Sequence, residues 1–216
     1  MSALYVYALS GRSAAPFAAH GHRIEFMEFG NVHAAVERSA DRPAISETAL
    51  RTQHEIVIRI SASVDDVLPV RFGARVEEEE LGQLVAMRRD VIHRALDLVR
   101  GRVQMTVRIR GEEASNDRPA SPTITPSTGT AYLEARRSAA ARPLTPMASA
   151  VAAAVRHLAV SEKVDGPPGR ASTTLYHLID KHRVEEYNEA LSSVQSPALT
   201  VTGPWPAFAF APDLWP

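Results

Sequence analysis

The chain has 216 residues, a formal net charge of -1 with both signs interspersed, and no cysteine. That length suits one large domain or two small ones. The composition excludes a disulfide framework, thiolate zinc sites and cysteine nucleophiles, and offers no global field for nucleic acid or an anionic membrane. No apolar run approaches the ~20 residues that span a bilayer, and the apolar residues 1–9 lack the basic flank of a secretory signal. The expectation is a cytoplasmic protein with neither nucleic acid nor membrane as partner.

Residues 3–9 (ALYVYAL) are short and rich in Tyr and Val, and a break follows from Gly11 to Pro16, which predicts a buried strand. Residues 24–29 and 32–36 flank Gly30-Asn31, a pair suited to a tight hairpin. Ser46 is a candidate N-cap for a helix to about Ser61, with Leu50, Val57 and Ile60 as its apolar face and His54 between them. Residues 67–72 (VLPVRF) read as an extended apolar piece whose Pro69 argues for an edge or a strand end.

The acidic run Glu77, Glu78, Glu79, Glu80 complements a helix dipole, so one long helix is expected from near Val76 to Gly101. Leu81, Leu84, Val85, Val91, Ile92, Leu96 and Val99 form its stripe. Residues 103–110 (VQMTVRIR) alternate strictly, predicting a strand with Val103, Met105, Val107 and Ile109 on its buried face.

From Gly111 to Gly129 large apolar residues nearly vanish, and a linker is expected over 112–129 between a domain at 1–111 and a second at 130–216. A helix is predicted over 130–141. A second starts with Thr145 as N-cap and Pro146 at the first helical position, with Met147, Val151, Val155 and Leu158 along its buried edge. A turn at 165–169, a strand at 173–179, a helix at 183–192 and a strand at 199–202 complete an α+β pattern.

Candidate chemistry is sparse. His20 and His22 form an H-x-H pair that on one strand could share a metal, but no third ligand follows at a useful spacing, so surface histidines are expected. A metal-dependent hydrolase using His20, His22 and His54 is the reading that pair would support. His54-Glu55 lacks the second histidine of a zinc helix, and His54 reads as a partly buried residue with a local hydrogen bond. Asp65-Asp66 reads as a turn and Arg88-Arg89 and Arg136-Arg137 as basic pairs too small for a nucleic-acid stripe. Neither a phosphate-binding loop nor a nucleophile elbow is present, so no catalytic residue, cofactor or metal is expected.

Two segments stand out. In LPVRFG (68–73), Arg71 and Phe72 close an apolar strand end; Arg71 either pairs with a carboxylate such as one of Glu77–Glu80 or points outward. In TGPWPAFAF (202–210), two prolines argue against helix and against a central strand, and set Trp205, Phe208 and Phe210 on an extended support. Those aromatics either dock a partner or clamp the tail onto its own domain.

Together with LYVYAL (4–9), the residues after the Gly30 turn, His54, GTAYL (129–133) and YHLID (176–180), these two segments make the chain resemble the gas vesicle F/L protein family over nearly its whole length. Gln104 departs from the Glu usual in that family, YHLID is a loose version of a more apolar strand, and Pro143 and Pro146 interrupt a longer helical region. The resemblance implies a two-domain α+β cytoplasmic protein with a ferredoxin-like C-terminal part and no catalysis. It also implies an assembly role, with the apolar gas vesicle shell protein and other vesicle accessory proteins as partners. A ferredoxin-like binding module unrelated to vesicles is the alternative reading.

Overall fold

A computed structural model describes residues 3–38, 43–110, 144–165, 172–194 and 196–214. The chain divides into two compact units, Met1–Gln104 with Pro204–Pro216, and Met105–Gly203. The boundary expected from the sequence lies in the 112–129 stretch, with the tail in the C-terminal half. Here the tail belongs to the first unit.

The first unit is built on a sheet ordered β2-β3-β4-β1-β5, from β1 (Leu4–Ser10), β2 (Phe17–Ala19), β3 (His22–Phe29), β4 (Val32–Arg38) and β5 (Val67–Pro69), with β6 (Arg75–Val76) also paired to β1. Every residue of β1 is buried, as a central strand covered on both faces requires. Tyr7 is the extra residue where the β1–β4 register shifts between Val6 and Ala8. The Gly30-Asn31 hairpin is present: Phe29 pairs with Val32, and Gly30 takes φ 65°. A second two-residue turn, His20-Gly21, joins β2 to β3 with both residues at positive φ (53° and 83°), an arrangement that matches strand twist.

Helix α1 (Glu47–Ser63) starts where Ser46 accepts a hydrogen bond from the Ala49 N–H at 3.1 Å. It packs Ile56, Val57 and Ile60 against Tyr5, Tyr7, Ile24 and Ala35 of the sheet. Its buried edge also includes Gln53, whereas Leu50, expected on the apolar face, is 46% exposed. The long helix expected from Val76 is two helices. α2 (Glu78–Met87) opens with the capping box Glu77–Glu80, and α3 (Arg89–Val99) follows after Arg88 leaves helical geometry at φ -103°, ψ 13°. Leu81, Val85, Ile92, Leu96 and Val99 stay buried across the break. Gly101, at φ 68°, ends α3 and donates its N–H to the Asp65 carbonyl at 2.9 Å.

The second unit carries a four-stranded sheet ordered β10-β7-β9-β8. Its strands are β7 (Arg102–Arg110), β8 (Ala159–Asp165), β9 (Ser172–Asp180) and β10 (Leu199–Trp205). Helix α4 (Pro146–Val155) is capped by Thr145, with Pro146 in its first turn, and α5 (Val184–Ser192) follows a short 3-10 turn at Lys181–Arg183. Among the described residues the order is strand, helix, strand, strand, helix, strand. β8 was not expected, because an edge strand reading AVSEKVD, with most residues exposed, has no apolar alternation to reveal it. β7 was expected to bury one face, yet Gln104 and Thr106 are buried as well as Met105 and Val107, so this stretch of the strand is covered on both faces. The expected linker at 112–129, the helix at 130–141, GTAYL, Arg136-Arg137 and all but Asp165 of the 165–169 turn lie outside the described residues.

Candidate partner-binding surface

The LPVRFG segment is an interrupted sheet edge. β5 pairs with Ala8, Leu9 and Ser10, β6 pairs with Leu4 and Tyr5, Val70 and Ala74 still bond to the Tyr7 carbonyl and the Val6 N–H, and residues 71–73 leave the ladder. Pro69 closes β5 at that edge, where a missing N–H costs no sheet hydrogen bond. Gly73 takes φ 78°, and its N–H donates to the Tyr5 hydroxyl at 2.9 Å. That hydroxyl in turn donates to Gln53 Oε1, and the Gln53 amide donates to the Val70 carbonyl at 3.0 Å. Two buried polar side chains thus satisfy backbone groups that the sheet releases. Neither Tyr5 nor Gln53 carries a local sequence signal for this role, since they lie 68 and 17 residues from their backbone partners.

The turn leaves Arg71 exposed and sets Phe72 edge-on to Tyr5, 6.5 Å between ring centroids. Arg71 lines a groove of about 260 Å³ with Leu9, Leu68, Val70, Phe208, Asp213 and Leu214. The tail reaches this place by a route the prolines did not predict. β10 runs as an edge strand through Pro204 to Trp205, and Phe208–Phe210 form a 3-10 turn rather than an extended support. Pro206 and Ala207 precede that turn and are buried.

Within the turn the aromatics separate. Phe210 is buried, while Phe208 is 37% exposed. Trp205 and Phe208 flank His54, with centroids at 5.2 Å (tilted) and 5.5 Å (stacked). His54 was expected to make a local hydrogen bond; its ring meets two aromatic rings from the far end of the chain instead. The buried Gln104 Oε1 accepts the Ala209 N–H at 2.7 Å. Gln104, flagged in the sequence only as a departure from Glu, therefore holds the tail turn. A neutral amide does so without the cost of burying a carboxylate charge.

The structure separates His54, in the aromatic stack, from the other two histidines of the metal reading. His20 sits in the β2–β3 turn with Nε2 2.9 Å from Glu55, and His22 opens β3 with Nδ1 2.9 Å from Glu37. The Tyr7 hydroxyl also donates to Glu37, at 3.0 Å, and burial together with that charge pushes its pKa up. A cleft of about 510 Å³ holds Tyr7, His20, His22, Glu37 and Phe72, so Phe72 faces a different concavity from Arg71. Among the described residues no three His, Asp or Glu side chains are placed to hold a metal. The Asp65-Asp66 pair is more than a turn. Asp66 is 1% exposed, neither of its oxygens has a hydrogen-bond partner, and the Arg100 Nε lies 3.6 Å away.

These features define an α+β protein on two sheets, with an aromatic and apolar surface where the tail meets the first unit's sheet edge. The sequence matches the family described as Gas vesicle synthesis protein GvpL/GvpF over residues 3–212, and the chain belongs to that family. Its fold is similar to the crystal structure of the gas vesicle protein GvpF from Anabaena sp. PCC7120, with TM-score 0.73, 12% identity and 99% of each chain covered. It is equally similar to GvpF from Microcystis aeruginosa, with TM-score 0.73, 12% identity, and 98% of this chain and 100% of that one covered. No curated protein matches the sequence. No described helix is long and apolar enough to cross a membrane.

Proposed function

We propose that this protein is a non-catalytic, cytoplasmic assembly factor of gas vesicles that binds the apolar shell protein, together with other vesicle accessory proteins, and nucleates or chaperones shell formation. The observation that carries the reading is the family match across residues 3–212. A half-exposed Trp205–His54–Phe208 stack beside the Arg71 groove supports a binding role, since aromatic and arginine side chains dominate recognition surfaces. An apolar, strand-rich shell subunit aggregates unless it is covered or promptly assembled, which is the physical need such a factor meets. The second unit's strand–helix–strand–strand–helix–strand order supports reading it as ferredoxin-like.

The test is co-purification of co-expressed shell protein with wild type, Trp205→Ala and Arg71→Ala, each with its melting temperature. Loss of the shell protein with Trp205→Ala at an unchanged melting temperature makes the stack an interface. Loss of both makes it a clamp. If wild type retains no vesicle protein and deletion of its gene leaves vesicles normal, the assembly role is wrong.

A further inference from the structure

The cleft of about 510 Å³ in the first unit has no part in the function proposed above, yet it combines aromatic walls with a carboxylate. Tyr5, Tyr7 and Phe72 line it, and its polar lining includes Glu37 and the α1 hydroxyls of Thr48 and Thr52. Its volume falls in the ~300–1,000 Å³ range of ligand-holding clefts.

The charge balance of the lining is one-sided. Among the described residues no lysine or arginine lines the cleft, and Glu37 is its one fixed charge; His20 and His22 are charged only when protonated. The N-terminus of α1 borders the cleft through Ser46 and Thr48, but it is not a spare positive end. Ser46 accepts the Ala49 N–H there, and Glu47 stands in the first turn.

Glu37 is held in place without being saturated. The Tyr7 hydroxyl donates to it at 3.0 Å and His22 Nδ1 at 2.9 Å. Two hydrogens fill about half of the ~four acceptor sites of a carboxylate, and the side chain keeps 19% of its surface exposed. Burial and the Glu37 charge push the Tyr7 pKa up, so its hydroxyl stays a donor.

The rings beside this carboxylate are packed at angles to one another. Tyr5 and Tyr7 are tilted with centroids 4.9 Å apart, and Phe72 stands edge-on to Tyr5. Aromatic faces attract a cation. An anion would meet repulsion from Glu37, and a wholly apolar group would strip water from the carboxylate without replacing its hydrogen bonds. A cation satisfies both the rings and the acid, and the threonine hydroxyls can accept hydrogens that Glu37 does not.

We propose that this cleft is a binding site for an alkylammonium group, with Glu37 as the charge contact and Tyr5, Tyr7 and Phe72 as its aromatic walls. The group is supplied by a free polyamine or by a lysine side chain. The site does not depend on the assembly role.

The experiment titrates the purified full chain with butylammonium, spermidine, acetyl-Gly-Lys-Gly-amide and the neutral 1-butanol, in about 0.15 M salt to screen loose surface binding. Calorimetry reads affinity, and amide NMR shifts read location. Saturable binding of the three amines, with shifts centred on residues 20–22, 37 and 48–52, is expected, and none with 1-butanol. Glu37→Gln should weaken it by at least about tenfold, the scale of a lost charged hydrogen bond. Phe72→Leu, which trims a half-buried ring and removes no hydrogen bond, should weaken it roughly three- to tenfold at an unchanged melting temperature. If Glu37→Gln does not fold, Phe72→Leu decides alone. Tighter binding of spermidine points to a free polyamine and tighter binding of the peptide to a protein side chain; both uphold the site. No saturable binding, equal binding of 1-butanol, or amine binding untouched by these substitutions in folded protein overturns it.

Discussion

Removing the Tyr187 hydroxyl tests the reading of the second unit's core. His177 has no solvent exposure, with Nδ1 2.6 Å from the Tyr187 oxygen and Nε2 3.0 Å from Glu162 Oε2. Glu162 and His177 are cross-strand partners on β8 and β9. One proton arrangement satisfies every group: Tyr187 O–H donates to Nδ1, and Nε2–H donates to the Glu162 carboxylate, with the imidazole neutral. A second ring proton would turn the tyrosine hydrogen away with no acceptor. Burial pushes the His177 pKa below its usual 6.5, opposed by the hydrogen bond to Glu162 and by its charge. Burial, then the Glu162 charge, pushes Tyr187 up and keeps it protonated.

Tyr187→Phe leaves Nδ1 buried and unpaired, a cost of about 1–3 kcal/mol, or a melting temperature lowered by several degrees for a unit of this size. The pH dependence has a definite sign. The folded pKa lies below the unfolded one, so the unfolded chain binds more protons in acid. The stability from a neutral His177 is therefore fully present above pH 6.5 and is lost as pH falls from there toward the folded pKa. The slope reaches at most ~1.4 kcal/mol per pH unit for one proton. The hydroxyl favours the neutral ring, so in the Phe variant the folded pKa moves back toward the unfolded value and the acid-side slope flattens. Thermal unfolding of both proteins from about pH 8 to about pH 5 measures this, with hydrogen exchange at β8 and β9 amides reporting the second unit. Equal melting temperatures at the alkaline end, or parallel curves through the acid range, would refute the reasoning.

Three further outcomes follow from single contacts. Gly73→Ala should destabilise the first unit by roughly 1–2 kcal/mol in chemical denaturation, because φ 78° is strained for a residue with a Cβ. Gly11→Ala should cost about 1–3 kcal/mol, because its Cβ would come within 2.6 Å of the buried Asp66 carboxylate; Asp66→Gly in the same chain should recover part of the loss, and an undiminished loss refutes that contact. Gln104→Leu should weaken the tail's attachment by about 1 kcal/mol, seen as faster limited proteolysis near residue 209 with the second unit's amide exchange unchanged.

Local chemistry made much of the fold legible in the sequence. Ser46, Thr145, Gly30 and Gly101 act within three or four residues of themselves, so a capping side chain or a positive φ can be read from composition and spacing. The same holds for the buried strand at 4–10 and the amphipathic stripe at 81–99. The errors fall where a distant neighbour overrides the local pattern. Leu50 has the right spacing but is left 46% exposed, and the polar Gln53 is buried where its amide donates to the Val70 carbonyl. The stripe continues through Arg88 although the helix does not, since periodicity survives a one-residue break.

The candidate surface divides in the same way. LPVRFG and GPWPAFAF were identifiable by composition, and with them Arg71, Phe72, Trp205, Phe208 and Phe210. Which of these act together was not, because that depends on contacts between residues up to 154 positions apart, as between His54 and Phe208. By itself the sequence determined the family, the α+β class and the ends of most elements, all encoded in short-range patterns. Only the tertiary structure decided that the last residues return to the first unit and that Phe210 is buried while Phe208 is left at the surface. The physical reason is that burial and long-range hydrogen bonds belong to pairs of segments, and neither segment carries the pairing alone.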